Sequence, residues 1–118
     1  MKIYTSNFKS MFSIQELGII PISIAIKPPR WYKGERIMAL APALETLNWE
    51  TTRYTQRYNQ QLKSLNPLEI MNKIELITVG ERDVALLCFE KVGDFCHRQL
   101  VAQWLKATLG IEVTELKF

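Results

Sequence analysis

Hydrophobic and polar residues follow several different spacings along the chain, and each spacing predicts a different element. Residues 84–89 form an almost entirely apolar run between polar turns, which is typical of a strand covered on both faces. Residues 2–8 and 17–26 are rich in β-branched and other apolar side chains and predict two further strands. Residues 111–116 alternate apolar and polar side chains, as a final strand does.

Helical spacing separates these predicted strands. Serine and glutamate at the ends of 13–16 have capping-box spacing, which predicts a short helical turn. Tyrosine and leucine recur at helical spacing over 48–65, and Asn66 begins a second helix with a proline in its first turn. A third helix is predicted over 95–109, between an aspartate N-cap and a terminating glycine. This order predicts a mostly parallel sheet with helices on both faces, a small Rossmann-like three-layer α/β fold.

Length and composition narrow the class of protein. A chain of 118 residues suits one domain, so we expect a single α/β domain over 1–118. The net charge of +3 favours anionic partners, although ordinary surface solubility explains it equally well. The longest apolar stretch is too short to span a bilayer, and the N-terminus lacks the apolar run of a signal peptide. We therefore expect a cytoplasmic protein with no membrane partner.

Two cysteines and one histidine limit metal and disulfide chemistry. This set cannot build a four-ligand zinc site or a disulfide framework, so we expect no metal. We also expect no cofactor, and the cytoplasmic location expected above predicts reduced thiols. Cys88 falls within the apolar strand and is expected to be a core residue. A redox pair with Cys96 requires Cα atoms within about 7 Å, which the spacing permits but does not itself support.

The segment Cys96-His97-Arg98 concentrates the candidate chemistry. Ligands of open α/β sheets bind beyond the carboxyl ends of the strands, where the predicted helix presents its polarised N-terminus. Arg98 beside that N-terminus predicts a site for a phosphate or carboxylate. The same position lowers a thiol pKa, so Cys96 is a candidate nucleophile with His97 as its base. Adjacent helical residues point about 100° apart, however, which weakens the case for contact between them. A small buried thiol beside a structural histidine and arginine is the simpler interpretation.

Further candidate ligand contacts lie near the same sheet edge. Glu90 ends the buried strand and either orients Arg98 or His97 or is the first solvated residue. Residues 27–44 form a long irregular segment of the kind that is often functional. The tyrosines offer rings that stack on a base, although a helix packing stripe is the simpler interpretation for two of them. The candidates are Thr5, Ser6, Asn7, Arg30, Tyr32, Tyr54 and Tyr58.

The residues around this segment resemble the domain-of-unknown-function 488 family. The resemblance is carried by the run 83–90, by Cys96-His97-Arg98-Gln99-Leu100-Val101-Ala102 and by Trp104-Leu105. In that family, a strand ending in a Cys-aromatic-Glu triplet leads into a helix that begins with Cys-His-Arg. Residues 3–8 and 29–32 also look like the small members. The resemblance implies a compact α/β domain and, because polar motifs cluster at one sheet end, a ligand-binding or enzymatic role.

Three functions remain open on the sequence. The first is binding of a small anionic ligand, such as a nucleotide or nucleotide derivative, around Cys96-His97-Arg98. The second is a Cys/His-dependent enzyme acting on a phosphorylated or nucleotide substrate. The third is nucleic-acid binding through Arg53, Arg57, Lys63 and the basic loop. It ranks last because acidic residues are scattered through the chain and the net charge is modest.

Overall fold

The computed structural model describes residues 1–46, 48–79, 81–89 and 96–118. Within these ranges, five strands form one all-parallel sheet. The strands are β1 (Ile3–Asn7), β2 (Ile20–Ser23), β3 (Glu35–Arg36), β4 (Val84–Cys88) and β5 (Val113–Glu115). Their order across the sheet is β3-β2-β4-β1-β5, so β4 is central and all five strands end at the same edge.

Four α-helices connect the strands in the described part of the chain, and their ends follow local signals. The helices are α1 (Met11–Glu16), α2 (Thr51–Lys63), α3 (Pro67–Thr78) and α4 (His97–Leu109), with 3-10 helices at Phe8–Ser10, Met38–Leu40 and Leu44–Thr46. The Asn66 side chain accepts a hydrogen bond from the Leu68 amide at 3.0 Å, so the predicted start of α3 is confirmed. Gly110 ends α4 in the left-handed region, with φ of 68°, as predicted.

Apolar side chains on both faces of the sheet build a three-layer core. Val84 and Leu86 of β4 pack beneath α2, α3 and α4, whose inward residues complete the larger cluster. Ala85 and Leu87 point to the other face, where α1 and Tyr32 cover them. Every residue of β4 is buried, which confirms that this strand is covered on both sides. The predicted α/β class is therefore confirmed.

Two strand predictions differ from the structure. The predicted strand 17–26 is shorter: Gly18 adopts a φ of 76° to close the turn after α1, and β2 begins only at Ile20. The segment 27–44, predicted to be irregular, contributes β3. That strand pairs with β2 over two exposed residues only, so the sequence carries no alternating pattern that would indicate it.

Two helices begin later than predicted. The α2 helix starts at Thr51 because the Glu50 carboxylate accepts a hydrogen bond from the Arg53 amide at 2.8 Å and caps it. The α4 helix starts at His97 with Cys96 as its N-cap, which corrects the assignment of the N-cap to Asp94, a residue outside the described ranges. Among the helices described, none is long and apolar enough to cross a bilayer.

Candidate functional site

A cavity of about 410 Å³ opens at the carboxyl ends of β2 and β4. The segment following β2, the residues around the start of α2, the end of β4 and the start of α4 all contribute to its lining. This is the sheet edge at which open α/β folds bind ligands, and the volume lies within the usual range for small-molecule pockets. The Cys96-His97 segment therefore lies on the surface of a pocket, as the helix-start argument expects.

The two cysteines meet at the base of this pocket. Cys88 ends β4, Cys96 precedes α4, and both line the cavity. Their sulfurs are bonded to each other as a disulfide, with the Cα atoms 7.4 Å apart, slightly beyond the usual limit of about 7 Å, and neither cysteine of the chain is free. The expectation of reduced thiols is therefore wrong for this structure. Cys88 is buried, but it faces the pocket as well as the core.

His97 lies beside the disulfide with a defined tautomer. Its Nε2 atom is 2.7 Å from the carbonyl oxygen of Ile24. A carbonyl oxygen can only accept, so Nε2 carries the proton and Nδ1 keeps its lone pair. That Nδ1 atom lies 3.5 Å from Sγ of Cys96. Burial, with a smaller contribution from the charge of Arg98, lowers the pKa of His97 to about 4, so the imidazole is neutral at neutral pH.

The contact between Cys96 and His97 depends on the N-cap geometry. Cys96 has an extended backbone, with φ of −150° and ψ of 153°, so the 100° rotation between consecutive helical residues does not apply to this pair. The Cys96 amide donates to Oε1 of Gln99 at 3.1 Å, which fixes this conformation. On the other side, the Tyr58 ring packs edge-on against the imidazole, with centroids 5.3 Å apart. The two side chains are therefore held together by their neighbours.

Arg98 is fully buried behind Cys88. Its Nε and Nη2 atoms donate to the two carboxylate oxygens of Glu115, each at 2.9 Å. Its Nη1 atom donates to Sγ of Cys88, also at 2.9 Å. The guanidinium thus lies below the floor of the pocket, and the Cys88 sulfur stands between it and the cavity. The sequence-based hypothesis had instead placed Arg98 in contact with the ligand.

Glu115 holds the guanidinium of Arg98 in this position. Burial opposes ionisation of its carboxyl, but hydrogen bonds from Arg98 and Thr5 outweigh that effect and lower its pKa. The Thr5 hydroxyl donates to Oε1 of Glu115 at 2.6 Å. Thr5 and Glu115 are register partners on β1 and β5, so the sheet itself sets the position of the carboxylate.

The other polar candidates of β1 are engaged within the fold. The Ser6 hydroxyl donates to the carbonyl of Leu116 at 3.1 Å. The Asn7 side chain accepts hydrogen bonds from the amide and the hydroxyl of Ser10 and caps the first 3-10 helix. Together with Thr5, these residues stabilise the β1 end and do not line the described pocket.

The structure places the remaining candidate ligand contacts in different parts of the molecule. Tyr54 lines the pocket, whereas Tyr58 is buried beneath it and donates to a backbone carbonyl. Tyr32 lies on the opposite face of the sheet, where its hydroxyl accepts from the amide of Ser23. Arg30 is exposed and outside the lining. Glu90 lies outside the described residues.

Several pocket residues were not identified from the sequence. Trp49 and Phe89 form aromatic walls, and Lys27 contributes a cation at the lining. Phe89 directly follows Cys88, so its position at the strand end was available as a signal. The guanidinium of Arg53 lies over the Trp49 ring, 3.8 Å from its centroid. Arg53, one of the residues considered for nucleic-acid binding, therefore packs against a wall of the pocket.

Among the residues that the structure describes, three potential metal ligands converge at the base of the pocket. Cys88, Cys96 and His97 are buried, and their ligand atoms lie within 4.8 Å of one another. Sulfur and imidazole ligands suit soft or borderline metals such as zinc or copper. In the disulfide state, however, the two sulfurs do not offer the thiolates that such a metal requires. Reduction must therefore precede any metal binding here.

One family model matches the chain. It is described as the active DUF488-N3 subclade, DUF488-N3a, and it covers residues 27–109, which include both cysteines, His97 and the pocket lining from Lys27 onward. The chain belongs to this family, and the resemblance identified from the sequence is confirmed. No curated protein and no solved structure matches the chain.

Proposed function

We propose that this DUF488-N3a member is a Cys/His-dependent enzyme that acts on a small anionic substrate, of the nucleotide or nucleotide-derivative class, in the pocket at the strand ends. The observation that carries the proposal is the 3.5 Å approach of His97 Nδ1 to Cys96 Sγ at the cavity surface. A nucleophile within reach of a base that a third group orients is the general pattern of covalent catalysis. Here the Ile24 carbonyl is that third group. The description of the family as an active subclade agrees with the proposal.

The working state in this proposal is the reduced one. Once the disulfide opens, the Cys96 thiol lies against a neutral imidazole whose lone pair faces it. The start of α4 favours negative charge at that sulfur. A Cys96 thiolate would in turn stabilise the imidazolium, whose pKa is otherwise lowered by burial and by the charge of Arg98. The pair therefore exchanges one proton between two groups that support each other's charge.

The proposed chemical step uses both groups in turn. His97 takes the Cys96 proton at Nδ1 while the sulfur forms a bond to an electrophilic atom of the substrate. The electron pair of the bond that breaks goes to the leaving group, and the imidazolium returns the proton to it. Water then releases the product from Cys96, with the neutral His97 again serving as the base.

The pocket walls support the proposed substrate class. Trp49, Tyr54 and Phe89 surround the cavity with ring faces and edges suited to a planar base. Lys27 and the N-terminus of α4 supply positive potential for an anionic group. Simple binding without a chemical step would use the same walls, so that hypothesis and the enzyme differ only in the reactivity of Cys96. A cytoplasmic location, where thiols are kept reduced, also belongs to this proposal.

Alkylation tests the reactivity of Cys96. The Cys88→Ser protein, which cannot form the disulfide, is treated with iodoacetamide across a pH series, and modified Cys96 is quantified by mass spectrometry. We expect modification to persist below neutral pH, whereas an ordinary thiol has a pKa of about 8.5. Adding His97→Gln should move the profile to higher pH. A Cys96 profile equal to that of a free thiol in both proteins would refute the enzyme and leave only binding.

Calorimetry with AMP as the probe tests the pocket. Loss of one base–aromatic stack costs about 1–3 kcal/mol, so Tyr54→Ala should weaken AMP binding by roughly 5- to 150-fold. The matched control is Phe12→Ala, which removes an aromatic ring from α1 at an exposed position outside the pocket lining. Equal affinities in the two variants, or no AMP binding to the unmodified protein, would contradict the nucleotide assignment.

A further inference from the structure

We infer that Cys88 and Cys96 form a reversible dithiol–disulfide pair that exchanges with small disulfides entering the pocket, and that Cys88 is the sulfur released as a thiolate when the bond opens. The inference uses the pocket of the proposed function but does not depend on turnover of a nucleotide. It rests on the different surroundings of the two sulfurs.

The surroundings of Cys88 favour a thiolate. The Nη1 atom of Arg98 lies 2.9 Å from its sulfur, and this guanidinium is fully buried. Its position is fixed by two hydrogen bonds to the Glu115 carboxylate. A disulfide sulfur is a weak acceptor, whereas a thiolate beside a guanidinium makes a charge-assisted hydrogen bond. The contact therefore stabilises the reduced form of Cys88 more than the oxidised form.

The surroundings of Cys96 make it the sulfur that bonds to an external thiol. Exchange proceeds faster when the departing sulfur is the better-stabilised thiolate, which here is Cys88. Attack on Cys96 leaves the negative charge beside the full charge of Arg98, whereas attack on Cys88 leaves it beside the neutral imidazole of His97 and only the partial charge of the α4 N-terminus. Both cysteines line the cavity, which gives a small thiolate a route towards the disulfide.

The exchange balances with a low-molecular-weight thiol and its disulfide. One thiolate bonds to Sγ of Cys96, the Cys88–Cys96 bond breaks, and its electron pair stays on Cys88. A second thiolate attacks the outer sulfur of the mixed disulfide, releases Cys96 and forms the small disulfide. The protein gains two electrons, and the two small thiols lose them. The reverse sequence oxidises the protein and consumes the small disulfide.

Adduct trapping with oxidised glutathione tests the asymmetry. In Cys88→Ser, a glutathione adduct on Cys96 cannot be displaced internally, so it should accumulate and be visible by intact mass. In Cys96→Ser, the adduct on Cys88 should be released by reduced glutathione at least tenfold more readily, because the stabilised Cys88 thiolate is the better leaving sulfur. The unmodified reduced protein should form the internal disulfide with little adduct, and reduced glutathione should reverse it. All samples contain a chelator, because bound metal would block both thiols.

The outcomes are separable from those of the proposed function. Adduct that reduced glutathione releases equally readily from both single variants, or that persists in the unmodified protein, overturns the inference. Cys96 alkylation below neutral pH can still hold in that case, because it is measured without any disulfide. In a folded Arg98→Gln protein, verified by circular dichroism, the glutathione equilibrium should move at least tenfold towards the disulfide. An unchanged equilibrium would show that Arg98 does not stabilise a Cys88 thiolate. The trapping experiment does not require this variant.

Discussion

Tyr32 and His97 are both buried polar rings that the sequence offered as ligand contacts, and the structure gives them opposite roles. They have similar exposure, 7% and 5%, and both have a shifted pKa. The Tyr32 hydroxyl accepts from the Ser23 amide and donates to the Glu35 carbonyl, so it joins β2 to β3. His97 uses only Nε2 for the fold and directs Nδ1 at a sulfur that lines a cavity.

The comparison distinguishes a ring that is buried to stabilise the fold from a ring that is buried beside a reactive atom. Burial raises the pKa of Tyr32 to about 12 and lowers that of His97 to about 4, so each ring is kept neutral for the same reason. A shifted pKa therefore does not distinguish the two roles. The distinguishing feature is whether a reactive atom remains directed at a nucleophile and a pocket. The following predictions test this distinction, from the largest expected effect to the smallest.

Removal of Arg98 should have the largest effect on stability. Arg98→Ala leaves the Glu115 carboxylate without its main partner in a partly buried site, and breaking such pairs costs about 3–5 kcal/mol. Urea unfolding of the oxidised proteins measures the loss. The control is Lys106→Ala, which breaks the exposed ion pair with Glu112 and should cost less than about 1 kcal/mol. Similar losses in both variants would contradict the role assigned to Arg98.

Acid should destabilise the protein through His97. The folded pKa of about 4 lies below the ordinary value of 6.5, so the unfolded state binds the proton more readily. The stability that comes from keeping the imidazole neutral is fully present above 6.5 and is lost as the pH falls towards 4, by roughly 3 kcal/mol. The lowered pKa of Glu115 acts in the same direction at lower pH. Unfolding of the oxidised protein across this window measures the slope, and His97→Gln should flatten it.

Tyr32→Phe should weaken the fold and leave the chemistry intact. The substitution leaves the Ser23 amide and the Glu35 carbonyl without the hydroxyl, at a cost of about 2 kcal/mol in unfolding free energy. The iodoacetamide reactivity of Cys96, measured in the Cys88→Ser background, and the affinity for AMP should both stay unchanged, since Tyr32 lies on the opposite face of the sheet. A lower AMP affinity in this variant would indicate that Tyr32 contacts the ligand after all.

Sequence patterns predicted the parts of the fold that depend on local signals. The apolar run of β4, the Asn66 cap and the Gly110 terminus are encoded within a few residues each, and each is observed. The β3 strand was not predicted because its pairing is two residues long and its side chains are exposed. Local propensity carries no information about such a pairing, which depends on the position of β2.

The position of the candidate site in the fold was predictable from the sequence, but the contacts between its side chains were not. A helix start after a buried strand located Cys96 and His97 at the sheet edge without further information. Their contact depends on the extended backbone of the N-cap residue, and a helical rotation of 100° per residue could not reveal it. The Arg98–Glu115 pair joins residues 17 apart in the chain through the pairing of β1 with β5, which no local pattern encodes.

The smallest effects are expected for Lys27 and Arg30, two cations of the same loop. The sequence alone would predict the larger role for Arg30. Arg30 was the predicted ligand contact, yet it is exposed and outside the lining, whereas Lys27 lines the pocket. A single exposed charge contributes at most about 1 kcal/mol, so Lys27→Ala should weaken AMP binding by roughly threefold and more at low salt. Arg30→Ala should leave the affinity within error of the unmodified protein. Calorimetry at two salt concentrations resolves the pair, and a salt-dependent loss in Arg30→Ala alone would mean that the anion lies outside this cavity.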